Sequence, residues 1–246
     1  MNCLFLDLAS HNGLIACVAD DAVAASQAVD HRLGDHELVP AVETLLKKAG
    51  WMYPDLTGIA CVVGPGGFTS LRVAVAFANT LAWSVPSALR PSPRARASEP
   101  RAGPNGKIKS AGVHLSDLYG ARFPSPPQPP PPDPPSPRLR WAGGRGGSAP
   151  LLWLHSTKKN ELFIRGFGSC AQIFPEAVCI TVDDFRSKIQ SGTFWTGELI
   201  PEHQKIAQEM QMKPMEIEPL EEILPAFVQS LSFKSQTLLP WYGRGW

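Results

Sequence analysis

Ile59-Ala60-Cys61-Val62-Val63 runs directly into Gly64-Pro65-Gly66-Gly67, and from Thr69 to Trp83 apolar residues recur at helical spacing. That order reads as a buried strand, a tight turn and a buried helix. A turn of this composition lets the backbone approach another group closely, and it points N–H groups and a helix N-terminus at one place. Thr69 or Ser70 is a candidate cap for the helix. No Gly-Lys-Ser/Thr follows, so the turn is not a Walker loop, and Gly-x-Gly-Gly lacks the third glycine of a dinucleotide fingerprint. Taken alone, the stretch is equally at home as a structural turn into a core helix.

The surrounding pattern is α/β. Cys3–Leu8 suits a buried strand, Asn12-Gly13 signals a hairpin, and Leu14–Ala19 and Ala22–Val29 complete a three-strand meander. The spacing of Leu38, Val42, Leu45, Leu46 and Ala49 predicts a helix over about Glu37–Ala49, capped by Asp35 and ended by Gly50, with Pro40 in its first turn. In the next helix Leu71, Ala74, Val75, Ala78, Leu81 and Ala82 share one face, while Val73 and Phe77 lie on another. A helix apolar on nearly all sides needs more cover than one sheet supplies, from its own domain or from a partner.

Residues 86–150 interrupt this regularity. They hold 16 of the 25 prolines, and ten Lys/Arg against three Asp/Glu, a charge of +7 that leaves −6 on the rest of a chain with net charge +1. Outside that stretch there is no basic excess, so global charge gives no argument for direct nucleic-acid binding. The prolines predict two disordered insertions, 86–106 and 123–149, around an apolar island at 107–122 that reads as a strand followed by a helix. The second half, 150–246, again alternates strands with helices: Leu151–His155, a polar turn at Ser156–Asn160, Glu161–Phe167, Val178–Ile180, a helix capped at Thr181, Phe194–Gly197, Glu202–Met210, Met215–Ile217 and Leu220–Leu231. No internal repeat is visible in the sequence itself.

The glycine stretch, in context, resembles a known family. Gly64-Pro-Gly-Gly-Phe-Thr-Ser-Leu-Arg72 is similar to the Gly-Pro-Gly-Ser-Phe-Thr-Gly-Leu-Arg signature of the TsaB (YeaZ) family, with Gly67 where Ser is usual and Ser70 where Gly is usual. Leu4-Phe5-Leu6-Asp7-Leu8-Ala9-Ser10 resembles the family's opening strand, His36-Glu37-Leu38-Val39-Pro40 its first helix, and Pro240-Trp241-Tyr242-Gly243-Arg244 its closing Pro-x-Tyr-x-Arg. The resemblance is strong over residues 1–85 and weak over 107–122 and 151–246. It implies an actin-like (ribonuclease H-like) fold with two related subdomains, at 1–85 and 150–246. It also implies a non-catalytic scaffold that binds a TsaD-like catalytic subunit and supports threonylcarbamoyl transfer to a tRNA adenosine. The partner surface it implies comprises His36, Leu38, Val42, Leu45 and Leu46 on the first helix and Val73, Phe77 and Thr80 on the second. Packing within the domain is the competing account of the same side chains. Gly64, Pro65, Gly66, Gly67, Phe68, Thr69 and Arg72 would lie near that partner or a nucleotide. The chain alone is expected to bind no cofactor, with ATP or ADP entering through the complex. A TsaE-like ATPase would join it, tRNA would be contacted indirectly, and the chain could form a homodimer when alone.

The residues that carry chemistry are sparse. Asp7 ends the first strand, where actin-like ATPases keep an acidic residue, but a phosphoryl site needs several metal and phosphate ligands together. A turn-facing carboxylate bonded to nearby N–H groups is the simpler account. The six histidines, His11, His31, His36, His114, His155 and His203, contain no pair four apart, which argues against a metallopeptidase-like metal site. An independent ATPase or sugar kinase would need a second phosphate loop, and Thr196-Gly197-Glu198 is a poor one. A proline-rich adaptor remains the alternative of a different class. Five scattered cysteines without a Cys-x-x-Cys pair fit buried free thiols in a reducing cytoplasm. No apolar run reaches the length of a membrane span and no signal-peptide pattern opens the chain, so no membrane association is expected.

Overall fold

A computed structural model describes residues 1–30, 34–84, 108–123 and 150–243. The two predicted insertions, apart from Phe123, lie outside these residues, as do His31 and Arg244. Two compact units emerge: residues 1–121 with 219–246, and residues 122–218.

The first unit is built on five strands: β1 (Cys3–Asp7), β2 (Asn12–Ala19), β3 (Ala22–Asp30), β4 (Gly58–Gly64) and β5 (Lys109–His114). Their order is β3-β2-β1-β4-β5. β1 pairs antiparallel with β2 and parallel with β4, and β4 pairs parallel with β5. Every residue of β1 is buried, as the continuous apolar run requires of a central strand covered on both faces. Helices α1 (Asp35–Lys48) and α2 (Phe68–Ser84) share a core with Leu4, Leu6 and Leu8, Ile15 and Cys17, and Ile59 and Cys61. Helix α3 (Leu115–Ala121) follows β5, and α6 (Leu220–Ser230) packs on β2 and β3. Residues 219–246 therefore belong with the N-terminal unit and not with the 150–246 subdomain expected from chain order. The reason is burial: α1 from the adjacent sequence and α6 from the far end of the chain both pack on β2 and β3.

The second unit repeats the topology. Its strands are β6 (Leu151–Lys158), β7 (Glu161–Phe167), β8 (Val178–Thr181), β9 (Phe194–Glu198) and the two-residue β10 (Lys213–Pro214). The order is β10-β9-β6-β7-β8, with β6–β7–β8 antiparallel and β6–β9–β10 parallel. Counted from its own first strand this is again third-second-first-fourth-fifth. Two units of one topology therefore come from sequence stretches that share no visible repeat. Helices α4 (Val182–Lys188) and α5 (Pro201–Glu209) cover the sheet, with Phe185 and Ala207 in a core of Leu152, Leu154, Leu162 and Ile164. Thr181 caps α4 by accepting from the Asp184 N–H at 3.1 Å.

Three local expectations change. α1 is capped at Gly34, not Asp35: the Gly34 carbonyl accepts from the N–H groups of Glu37 and Leu38, and the Gly34 N–H donates to the Glu37 carboxylate at 2.9 Å. Pro40 sits in the second turn of α1, which continues through it. β6 extends past Ser156 to Lys158 instead of turning there, because the Ser156 hydroxyl is buried against His203. No helix among the described residues is long and apolar enough to cross a membrane.

Candidate functional site

β1 and β4 run parallel and end side by side, so Asp7 and the glycine turn meet at the carboxyl edge of the first sheet. In open α/β sheets that edge is where ligands bind. Here the chain's own atoms occupy it. Asp7 is buried, its Oδ1 accepts from the Ala9 N–H at 3.0 Å and the Ser10 N–H at 3.1 Å, and its Oδ2 accepts from the Ser10 hydroxyl at 2.6 Å. This is the turn-facing carboxylate anticipated as the simpler account. Gly64 has φ 145°, a region open to glycine alone, and a β-carbon there would overlap the Trp241 carbonyl oxygen. Gly66 lies against Ala9, whose Cα would stand 2.8 Å from an added β-carbon. Pro65, between them, is buried, and the Gly64–Pro65 bond is cis. Gly67 and Thr69 are exposed.

The C-terminal segment closes over this turn. The Trp241 N–H donates to the Val63 carbonyl at 2.7 Å. The Trp241 ring meets His114 edge-on at 4.4 Å, and Tyr242 lies 5.0 Å from the ring of Phe68. On the same helix turn the Arg72 guanidinium sits 5.1 Å over Phe68. The glycine signature and the closing Pro240-Trp241-Tyr242 are thus two parts of one packed unit. No local pattern in the sequence joins them. What the sequence did carry was the need for glycine at Gly64, without the partner that imposes it.

The side chains expected at a partner surface divide in two. Leu38, Val42, Leu45 and Leu46 all sit in the core of the first unit. For α1 the exposed apolar patch is therefore corrected: these residues cover β-strands of their own domain, which is where a single apolar stripe belongs. The outward side of α1 carries His36, Glu37, Val39, Pro40, Glu43, Thr44, Lys47 and Lys48, mostly polar. On α2, Val73 and Phe77 are half-buried against the core edge, while Arg72, Ala76 and Thr80 are exposed. The outward apolar face belongs to α2 alone.

The second unit contains a polar network that the histidine spacing concealed. Ser156 Oγ lies 2.7 Å from His203 Nδ1, and His203 Nε2 lies 2.8 Å from the Lys159 carbonyl. A carbonyl only accepts, so Nε2 donates to it, while Nδ1 and the serine hydroxyl share a second hydrogen bond. Ser156 and His203 are both buried, and their bonds tie the β6–β7 hairpin to α5. Neighbouring His155 Nδ1 is 3.6 Å from the Glu198 carboxylate, and its ring stacks parallel to Trp153 with centroids 5.8 Å apart. This is a fold-holding arrangement, since a reacting serine needs substrate access. Among the described residues no three His, Cys, Asp or Glu side chains converge to hold a metal. Burial pushes the thiols of Cys3 and Cys17 up to about 12 and that of Cys61 higher still, so none is a nucleophile.

Two sheets of one topology, each flanked by helices, define an α/β fold built from two like units. Two solved structures share this architecture. One is an uncharacterized protein with similarity to peptidase YeaZ from Pseudomonas aeruginosa, at TM-score 0.58 and 16% identity over 99% of both chains. The other is YeaZ from Pseudomonas aeruginosa, at TM-score 0.57 and 15% identity over 98% of this chain and 99% of that one. At such identities the likeness is one of fold. In sequence, residues 30–91 match the family TsaD, tRNA N6-adenosine threonylcarbamoyltransferase. The tRNA threonylcarbamoyladenosine biosynthesis protein TsaB of Bacillus subtilis (strain 168) is 33% identical over 87 residues, 35% of this chain and 38% of that protein. The matched region thus spans well under half of that curated relative. In sequence, the likeness to the TsaD and TsaB families is thus confined to part of the chain.

Proposed function

We propose that this protein is a non-catalytic subunit that docks on a TsaD-like catalytic subunit and supports threonylcarbamoyl transfer to a tRNA adenosine. The observation that carries this reading is the filled carboxyl edge of the first sheet. Asp7 is engaged by its own turn, and the Trp241 carbonyl stands where Gly64 would meet a ligand. A site packed with the chain's own atoms offers no cradle for phosphate, which leaves the fold as a binding surface. α2 supplies that surface: Val73, Ala76, Phe77 and Thr80 line its outward side, and Arg72 is its one charged residue. In this reading nucleotide, a TsaE-like ATPase and tRNA are engaged through the complex, in the cytoplasm, and the same face lets the isolated chain pair with itself.

The test is binding. The wild-type chain is titrated with its cognate TsaD-like subunit by calorimetry, beside Ala76→Glu. Position 76 is exposed, so the variant keeps its melting temperature. A charge forced into a desolvated contact costs several kcal/mol, of order 3–5, enough to abolish measurable binding. The isolated chain is expected to hydrolyse ATP no faster than buffer. Turnover that Asp7→Ala abolishes would replace the scaffold reading with an enzyme.

A further inference from the structure

We infer that the docking surface extends beyond α2 onto the C-terminal segment 235–242, with Trp83 and Leu239 as contact side chains. The inference rests on the reading above. The segment is extended and held from both sides. Ser110 and Lys234 exchange backbone hydrogen bonds at 2.9 and 3.0 Å, and the Ser110 hydroxyl donates to the Gln236 carbonyl at 2.8 Å. The Asn79 side chain grips Leu238 twice: its amide donates to the Leu238 carbonyl at 3.0 Å, and its oxygen accepts from the Leu238 N–H at 2.8 Å. Trp241 is tied to Val63, and Tyr242 to Phe68. The segment therefore runs alongside α2 in the opposite sense, from Gln236 near Trp83 to Tyr242 near Phe68.

One side chain of the segment is buried and its neighbours face outward. Leu238 enters the core, and the next residue, Leu239, is turned out and 75% exposed. Trp83 is 78% exposed at one end of the seam, and Phe68 59% at the other. Between Trp83 and the segment lies a cavity of about 170 Å³, lined by Asn79, Ala82, Trp83 and Ser235 among others. Residues 235–242, Ser-Gln-Thr-Leu-Leu-Pro-Trp-Tyr, carry no charge. An uncharged, aromatic-rich surface with one arginine has the composition of an interface core. Its backbone is already fixed, so ordering it on binding costs little. The polar outward side of α1 lacks these properties.

The occupant we assign is the TsaD-like subunit. Residues 30–91, which include α2, match the TsaD family. A partner of that family carries its own version of this segment, and related surfaces pack naturally about a two-fold or pseudo-two-fold axis. A standard interface covers about 800 Å² on each partner. The outward side chains of one 17-residue helix fall short of that, and the flanking aromatics add on the order of 100–200 Å² each.

Leu239→Asp and Trp83→Ala in the full chain test the inference, with Lys47→Glu on the outward side of α1 as control. Affinity for the cognate TsaD-like subunit is measured by calorimetry, and folding by melting temperature. The expected result is at least a tenfold loss of affinity for each of the first two variants, an unchanged control, and wild-type melting temperatures throughout. Hydrogen exchange on the wild-type complex should show new protection over residues 235–242. If wild type binds and both variants bind equally well, with no new protection, the extension is wrong and the α2 surface stands. If wild type itself does not bind, the partner reading beneath it fails. If instead the variants abolish only self-association, the occupant is a second copy and the assignment to a TsaD-like subunit is overturned.

Discussion

Gly64→Ala is the most exposing perturbation of the packed turn. Two separate costs can be read from the structure. The backbone at φ 145° is closed to alanine, a strain of order 1–3 kcal/mol. The added methyl also overlaps the Trp241 carbonyl, so the C-terminal segment must shift. That shift breaks the Trp241–Val63 hydrogen bond, about 0.5–1.5 kcal/mol net. It also breaks the edge-on contact of Trp241 with His114, about 0.5–1.5 kcal/mol more. Together these give roughly 2–6 kcal/mol, against a stability of about 5–15 kcal/mol for an ordinary domain. Hydrogen exchange on the β1 and β4 amides reads the first unit on its own. Truncation after Leu238 removes the obstacle, so in that background Gly64→Ala should cost only the backbone strain. The difference between the two backgrounds is the coupling between turn and segment. Gly67→Ala serves as control, because an added methyl there meets nothing closer than Ser70 Oγ at 3.6 Å. A cost below about 0.5 kcal/mol in the full chain, or the same cost with and without the segment, would refute this account of why the position is glycine.

The remaining predictions concern the core. Val42→Asp should unfold the first unit, and Leu45→Ala should cost about 2–5 kcal/mol, because both side chains are fully buried; denaturant midpoints check this, and loss of partner binding with an intact fold would restore α1 to the interface. Alkaline pH should weaken the fold: the thiols of Cys3 and Cys17 ionise near 9 when unfolded but only at about 12 when folded. The unfolded state therefore sheds protons first, and the contribution is full below pH 9, falls by up to about 1.4 kcal/mol per pH unit for each thiol above it, and is gone by about pH 12. Denaturant midpoints in reductant at pH 8, 9.5 and 10.5 test the slope, and Cys3→Ala with Cys17→Ala should reduce it, leaving the part that buried Cys61 supplies.

Much of the fold was legible in local patterns. Continuous apolar runs marked β1 and β4 as buried strands, and helical spacing marked α1 and α2. The spacing of Leu38, Val42, Leu45 and Leu46 identified the buried stripe of α1 correctly as a stripe. It could not say what the stripe faces, since a side chain meeting its own sheet and one meeting a partner leave the same spacing. The network of Ser156, His203 and Lys159 was hidden for a related reason: it joins β6, the hairpin turn and α5, and no fixed interval along the chain encodes it.

The sequence by itself determined the elements, the need for glycine before α2, and the family signature that surrounds it, because these depend on neighbours a few residues apart. Tertiary structure alone decided that residues 219–246 return to the first unit, that Trp241 fills the space Gly64 leaves open, and that Leu238 is gripped by Asn79 some 159 positions earlier. Those contacts form only once the sheet has brought distant segments together. That Trp241 packs against the turn was decided there, because strand order and not sequence interval brings the two segments together.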